Sequence, residues 1–193
     1  MTVLKIILAS TRPNSIAPAI GSWVLDTAQR TGSFDRVEIL DLAQIQLPFL
    51  DEPHHPRLGQ YTKPHTFAWS AAIDSADALV IVTPEYNSAI PAPLKNALDF
   101  LHAEWRDKAL GTVSYGGAGG GLRAAAMLAP IAGALGMIAT EHNVAIPRAA
   151  SQVIDSEFVA NPDNDAAVLA MLADLADIES VLAPHRAGLA VAG

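Results

Sequence analysis

A chain of 193 residues with 51% hydrophobic composition suits one domain with a substantial core. Its apolar residues come in short runs broken by glycine, proline and charge, none near the roughly 18 to 20 unbroken positions a membrane helix needs. The absence of cysteine excludes disulfides, thiolate catalysis and thiolate metal sites, and a formal charge of −8 speaks against nucleic acid as a partner, because duplex binding relies on clustered Lys and Arg.

The first eight residues carry no basic leader and enter a strand pattern at once, so a cytoplasmic protein without a signal peptide is expected. Residues 3–9 read as the first strand, and 16–31 as a helix with Ile20, Trp23, Val24 and Ala28 on one face. A second strand covers 37–42. The stretch 46–61, with prolines at 48, 53 and 56, is irregular. A helix over 63–75 leads to the third strand at 78–82, and a helix over 91–103 follows, about 20 Å long at roughly 1.5 Å per residue. The fourth strand closes over 111–114, a helix covers 120–135, and the fifth strand lies within 137–144. A last helix over 164–182 ends before Pro184.

Strands interleaved with helices imply parallel βαβ units with helices on both faces of one sheet. The strand count favours an α/β, flavodoxin-like three-layer sandwich of order 2-1-3-4-5 over the two-halved dinucleotide fold, which usually needs six strands. Residues 1–183 form this single domain and 184–193 a frayed tail. In such sheets ligands bind at the carboxyl ends of the strands, so the loops there carry the chemistry.

The first of these loops is Ser10-Thr11-Arg12-Pro13-Asn14-Ser15. With Ser15 as N-cap, Pro18 falls in the first helical turn, where its missing N–H costs nothing. Free N–H groups and the helix dipole make an anion site, and Arg12 can neutralise a phosphate there. The other reading is a capped helix start with a solvent-facing arginine; the position after the first strand favours phosphate. The second loop, Pro84-Glu85-Tyr86-Asn87-Ser88, is stiffened by Pro91 and Pro93 and offers backbone donors and acceptors. They suit a heteroaromatic ring edge that carries both, such as the pyrimidine side of a flavin. Glu85 has no histidine beside it to form an acid–base pair, and Tyr86 reads as an aromatic wall. In the helix that follows, Leu94, Ala97, Leu98 and Leu101 form an apolar stripe, while Phe100 and Trp105 are expected to face a second subunit. Lys95 and Asn96 could bind a ligand, but a role in fixing the second loop, or an exposed charge, is the default reading.

The third loop, residues 114–121, holds five glycines in eight positions and lets backbone N–H groups approach a ligand. Within it, Gly119-Gly120-Gly121-Leu122-Arg123-Ala124 fits a dinucleotide fingerprint taken literally, with Glu141 about twenty residues on. It comes after the fourth strand, too late for two nucleotide-binding halves. His54, His55 and His65 have no metal-ligand spacing and read as exposed or rim residues, His142 reads as structural, and no metal site is expected. Leu47-Pro48-Phe49-Leu50 makes an apolar tip that covers the ligand or touches a partner.

The loop sequences 10–15, Pro84-Glu85-Tyr86-Asn87 with Leu94-Lys95-Asn96-Ala97-Leu98-Asp99, and Ser114-Tyr115-Gly116-Gly117 resemble those of the NADPH-dependent FMN reductases, flavodoxin-like proteins that include quinone, chromate and azo-dye reductases. The resemblance runs from about residue 3 to 148. It implies that Ser10, Arg12, Asn14 and Ser15 hold the FMN phosphate. Pro84, Glu85, Tyr86, Asn87 and Ser88 would line the isoalloxazine and ribityl chain, and Ser114, Gly116 and Gly117 the ring's other polar edge. It further implies NADPH or NADH as electron donor, a small-molecule acceptor, ping-pong chemistry on the flavin without a catalytic side chain, and a homodimer or homotetramer. Two other readings stand beside it: a flavodoxin-type electron carrier that does not itself oxidise nicotinamide, and a non-flavin dehydrogenase built on residues 119–124.

Overall fold

The computed structural model describes the backbone of residues 1–192 and the side chains through residue 188. Its elements follow the alternation of apolar runs and helical periods. Strand β1 (Val3–Leu8) leads to α1 (Ala17–Thr31), β2 (Arg36–Asp41) and a single turn, α2 (Leu42–Ile45). Then come α3 (Pro64–Asp74), β3 (Ala78–Pro84), α4 (Ala92–Asp99) and β4 (Ala109–Tyr115). The chain continues with α5 (Leu122–Ala134), β5 (Ile138–Ala139), β6 (Val144–Ile146), a small hairpin of β7 (Val153–Ile154) and β8 (Glu157–Phe158), and α6 (Pro162–Ala192).

The main sheet is parallel with order β2-β1-β3-β4-β5, and β6 also pairs with β4. This is the flavodoxin-like order expected from the strand count. Alternate residues of the central strands face opposite layers. Leu4, Ile6, Leu8, Val80 and Val82 pack with α1 and α6, whereas Ile7, Leu79 and Ile81 pack with α3, α4 and α5. The layers approach closely where side chains vanish: a Cβ on Gly111 of β4 would lie 2.8 Å from the Met171 sulfur of α6.

Four local expectations are corrected. The fifth strand is split, because Thr140–Asn143 leaves the ladder between β5 and β6. Across that gap the Thr112 N–H, in a buried residue of β4, donates to the Asn143 side-chain carbonyl at 2.9 Å instead of to a backbone oxygen. The helix after loop two ends at Asp99, a full turn earlier than the periodicity indicated. The indole N–H groups of Trp69 and Trp105 donate to the Ala97 and Leu98 carbonyls at 2.9 and 3.1 Å, satisfying groups that a helix end leaves unpaired. Phe100 and Trp105 are therefore wholly buried in the core, not turned toward a partner.

The last helix does not stop before Pro184 but continues through it. Beyond the proline, Arg186 binds Glu179 at 2.6 Å, Asp77 at 3.1 Å and the Asp107 carbonyl at 2.9 Å. These contacts pin residue 186 to the amino-terminal edge of the sheet; Gly193 lies outside the described residues. Among the described residues no helix is long and apolar enough to cross a membrane.

Asn143→Ala would strand the Thr112 N–H and is expected to cost about 1–3 kcal/mol. Urea unfolding would read this as a lower midpoint, and hydrogen exchange as faster loss of the Thr112 amide proton; an unchanged midpoint and exchange rate would show that the substitute bond is dispensable.

Candidate functional site

Loops one, two and three leave β1, β3 and β4 at one edge of the sheet. In loop one, Ser10 is buried and its hydroxyl lies 2.8 Å from the Tyr86 hydroxyl of loop two. The Ser15 N–H donates to the Arg12 carbonyl at 3.2 Å, closing a turn with Pro13 and a left-handed Asn14, the residues such a turn favours. The N-cap of α1 is Ile16, without a side-chain cap bond, and not Ser15 as expected; the Ser15 hydroxyl accepts the Ala17 N–H at 3.1 Å one residue earlier, in the turn that leads into the helix. No acidic residue occupies the first turn of α1. Thr11, Arg12 and Asn14 are exposed, and among the described residues the Arg12 guanidinium makes no ion pair.

Loop two is a rigid hairpin turn. Tyr86 and Ala89 exchange both backbone hydrogen bonds at 3.0 Å, and the two residues between them, Asn87 and Ser88, have φ of 51° and 65°. Asparagine tolerates this region, but serine pays roughly 1–2 kcal/mol there. Such strain persists where surrounding contacts enforce it, a pattern common at binding sites. Pro84 is buried beneath the loop, while Asn87 and Ser88 are exposed.

The Glu85 side chain points into the protein. Its two oxygens accept the Arg123 guanidinium and the Arg123 backbone N–H, each at 3.0 Å, at the start of α5. The Arg123 side chain, then the backbone N–H groups of Arg123 and Ala124, hold the carboxyl below the usual glutamate range. Glu85 is thus an anion tying loop two to α5, and only its backbone remains to meet a ligand. The same contact answers the dinucleotide fingerprint of residues 119–124. The helix N-terminus where a pyrophosphate would sit already holds a carboxylate.

Loop three packs on loop two through the Glu85 N–H, which donates to the Tyr115 carbonyl at 3.1 Å. The Ser114 hydroxyl is buried and donates to the Gly120 carbonyl at 2.9 Å, so this side chain shapes the loop and does not face outward. Gly121 has φ of 83°, and a Cβ there would lie 2.7 Å from the Tyr115 nitrogen; only glycine lets the loop fold back so closely. Gly116 is half-buried and Gly117 exposed, and the N–H groups of residues 117–119 have no acceptor among the described residues.

Between the loops lies an atom the sequence reading overlooked. The Tyr115 hydroxyl is buried without a hydrogen-bond partner among the described residues, beside the hydroxyls of Ser15 and Ser10. Burial pushes its pKa up to about 12. A buried hydroxyl left unpaired costs about 1–3 kcal/mol. Its signal was in plain view, as a tyrosine closing the strand that leads into loop three, but only the fold shows where the ring ends.

The remaining expectations sort themselves by contact. The Asn96 side chain donates to the Pro48 carbonyl at 2.7 Å and accepts the Leu50 N–H at 3.0 Å, fixing the apolar tip as a loop anchor. Phe49 on that tip is 84% exposed, and an apolar cavity of about 500 Å³ opens between it, Thr11, Leu42 and Pro93. His54 and His55 are exposed, and His65 meets Asp51 at 2.8 Å on the rim. His142 docks on Asp174 through its ring and its backbone N–H.

Known proteins place this arrangement in a family. An NAD(P)H-dependent FMN reductase of Schizosaccharomyces pombe is 46% identical over 136 residues, covering 69% of this chain and 67% of that protein. An NAD(P)H:quinone oxidoreductase of Solanum tuberosum is 39% identical over 90 residues, covering 45% of this chain and 44% of that one. Among solved structures, the flavoenzyme NAD(P)H:(acceptor) oxidoreductase FerB of Paracoccus denitrificans superposes with a TM-score of 0.72 at 19% identity, over 93% of this chain and 98% of its own, a likeness of fold. Residues 1–151, which contain all three loops, match the family model of the NADPH-dependent FMN reductases, and the chain belongs to that family.

Proposed function

We propose that this chain is an FMN-dependent NAD(P)H oxidoreductase that passes two electrons to a quinone, azo compound, free flavin or similar acceptor. The observation that carries the reading is the meeting of three differently equipped loops at one sheet edge. Among the described residues, loop one has a cation without an ion pair at a helix N-terminus, loop two a rigid strained turn, and loop three a row of amides without acceptors. The FMN would supply the redox chemistry, alternately reduced by nicotinamide and reoxidised by the acceptor in a ping-pong cycle.

The chain's own residues bind and orient. Arg12, with Ser10, Asn14, Ser15 and the free N–H groups of Ile16 and Ala19 at the start of α1, holds the phosphate. Tyr86, Asn87, Ser88 and the backbone of Pro84 and Glu85 line the ribityl chain and ring. The backbone of Ser114, Gly116 and Gly117 faces the ring's other polar edge, where N–H donors stabilise negative charge. Glu85 is not an acid or base in this scheme. Its carboxylate is already bound at α5, and lowering its pKa makes it a poor proton donor near neutrality.

The apolar cavity beside Thr11 and Phe49 supports a flat, weakly polar acceptor. Exposed Phe49, Leu50 and Leu122 near the site support a homodimer or homotetramer.

Arg12→Ala is expected to weaken FMN binding about tenfold to a hundredfold, the range for a hydrogen bond to a charged group. Fluorescence titration checks this, and full affinity in the variant would remove the phosphate assignment. Anaerobic NADPH is expected to bleach the absorbance of the FMN-loaded protein; a spectrum that stays oxidised would favour the electron-carrier reading. Glu85→Ala is expected to retain substantial turnover in a steady-state NADPH assay, whereas loss of the chemical step at unchanged FMN occupancy would make Glu85 a catalytic group.

A further inference from the structure

The buried hydroxyl of Tyr115 is a donor without an acceptor. Tyr115 is 5% exposed and belongs to the core layer beneath α1 that also holds Leu8 and Ala17. Its oxygen therefore ends under the turn that starts that helix, next to the Ser10 and Ser15 hydroxyls. The Ser10 hydroxyl is engaged with Tyr86 at 2.8 Å, and the Ser15 oxygen already accepts the Ala17 N–H at 3.1 Å. The layer above, from Thr11 to Asn14, is exposed. A phenylalanine would fill the same apolar space, so packing alone does not call for the oxygen.

We propose that Tyr115 is a phosphate-binding residue: its hydroxyl donates to a phosphate oxygen held at the start of α1, from the side opposite Arg12. The inference rests on the FMN reading above and adds to it a ligand from the core side of the loop. Two independent features point the same way. At the start of the 15-residue helix α1 the N–H groups of Ile16 and Ala19 have no acceptor among the described residues, and no acidic side chain competes in the first turn. The unpartnered hydroxyl beneath it is more than nine-tenths buried. The burial that raises the Tyr115 pKa keeps it protonated at neutral pH, so it can only gain from an anionic acceptor.

Tyr115 then sets the preference for a phosphorylated flavin over its unphosphorylated form. Arg12 attracts the dianion from solvent by charge, while Tyr115 contributes a short, directed bond from a water-poor position. The apo protein carries the unpaired hydroxyl as a standing cost, which the ligand relieves.

The test compares FMN with riboflavin on wild-type protein and Tyr115→Phe. FMN affinity is expected to fall about tenfold to a hundredfold in the variant, with riboflavin affinity unchanged. The thermal midpoint of the flavin-free variant is expected to equal or exceed that of the wild type, because the orphan hydroxyl is gone. Equal losses for FMN and riboflavin would place the hydroxyl on the ribityl chain or give it a structural role, and would overturn the proposal. Unchanged FMN affinity, or a lower midpoint of the flavin-free variant, would overturn it too. A wild-type protein that binds FMN no better than riboflavin would instead remove the phosphate site of loop one itself.

Discussion

The Glu85 carboxylate at the start of α5 is the contact on which the site depends. Loops two and three leave neighbouring parallel strands, and parallel pairing alone fixes only where each loop begins. The carboxylate binds the Arg123 side chain and backbone N–H together, so the hairpin turn and the glycine loop hold one relative position. The backbone bond from Glu85 to Tyr115 repeats the constraint one layer down. With both in place the strained Asn87–Ser88 turn is over-determined by its surroundings and keeps a conformation that its residues alone would not choose.

The same contact explains why an acidic residue in the most conspicuous loop is not an acid. A carboxylate at a helix N-terminus is stabilised by the dipole and by the charge beside it, which favours its ionised form. The protein uses that charge for position. What is left facing outward is mostly neutral: backbone amides, hydroxyls and an aromatic ring. Only Arg12 brings full charge, and it does so at the far end, where a phosphate would sit.

The fold was largely legible before any coordinates. The strand runs of residues 3–9, apart from Lys5, and 78–82 are apolar because their strands are covered on both faces. The loop assignments followed from this, since a parallel sheet puts every such loop on one edge. Failures came where a side chain overrode a local pattern. The helical period continues through Phe100, yet two indoles already satisfy the α4 carbonyls and the chain turns inward. Residues 137–144 read as containing one strand, but the Asn143 side chain replaces a backbone acceptor and splits it. Pro184 reads as a stop, but a proline inside a helix is tolerated when the residues beyond it are anchored, here by Arg186 on Glu179 and Asp77.

By itself the sequence determined the sandwich order, the three loops and the residue types they offer, because hydrophobic period, proline and glycine act locally and are read locally. Tertiary structure decided which of those groups face a ligand. Glu85 and Ser114 turn inward, Asn96 serves a neighbouring loop, and Tyr115 sends a buried hydroxyl beneath a helix that starts a hundred residues earlier. The physical reason is that a polar side chain takes whatever partner the packed fold brings within about 3 Å, and that partner is rarely near in sequence.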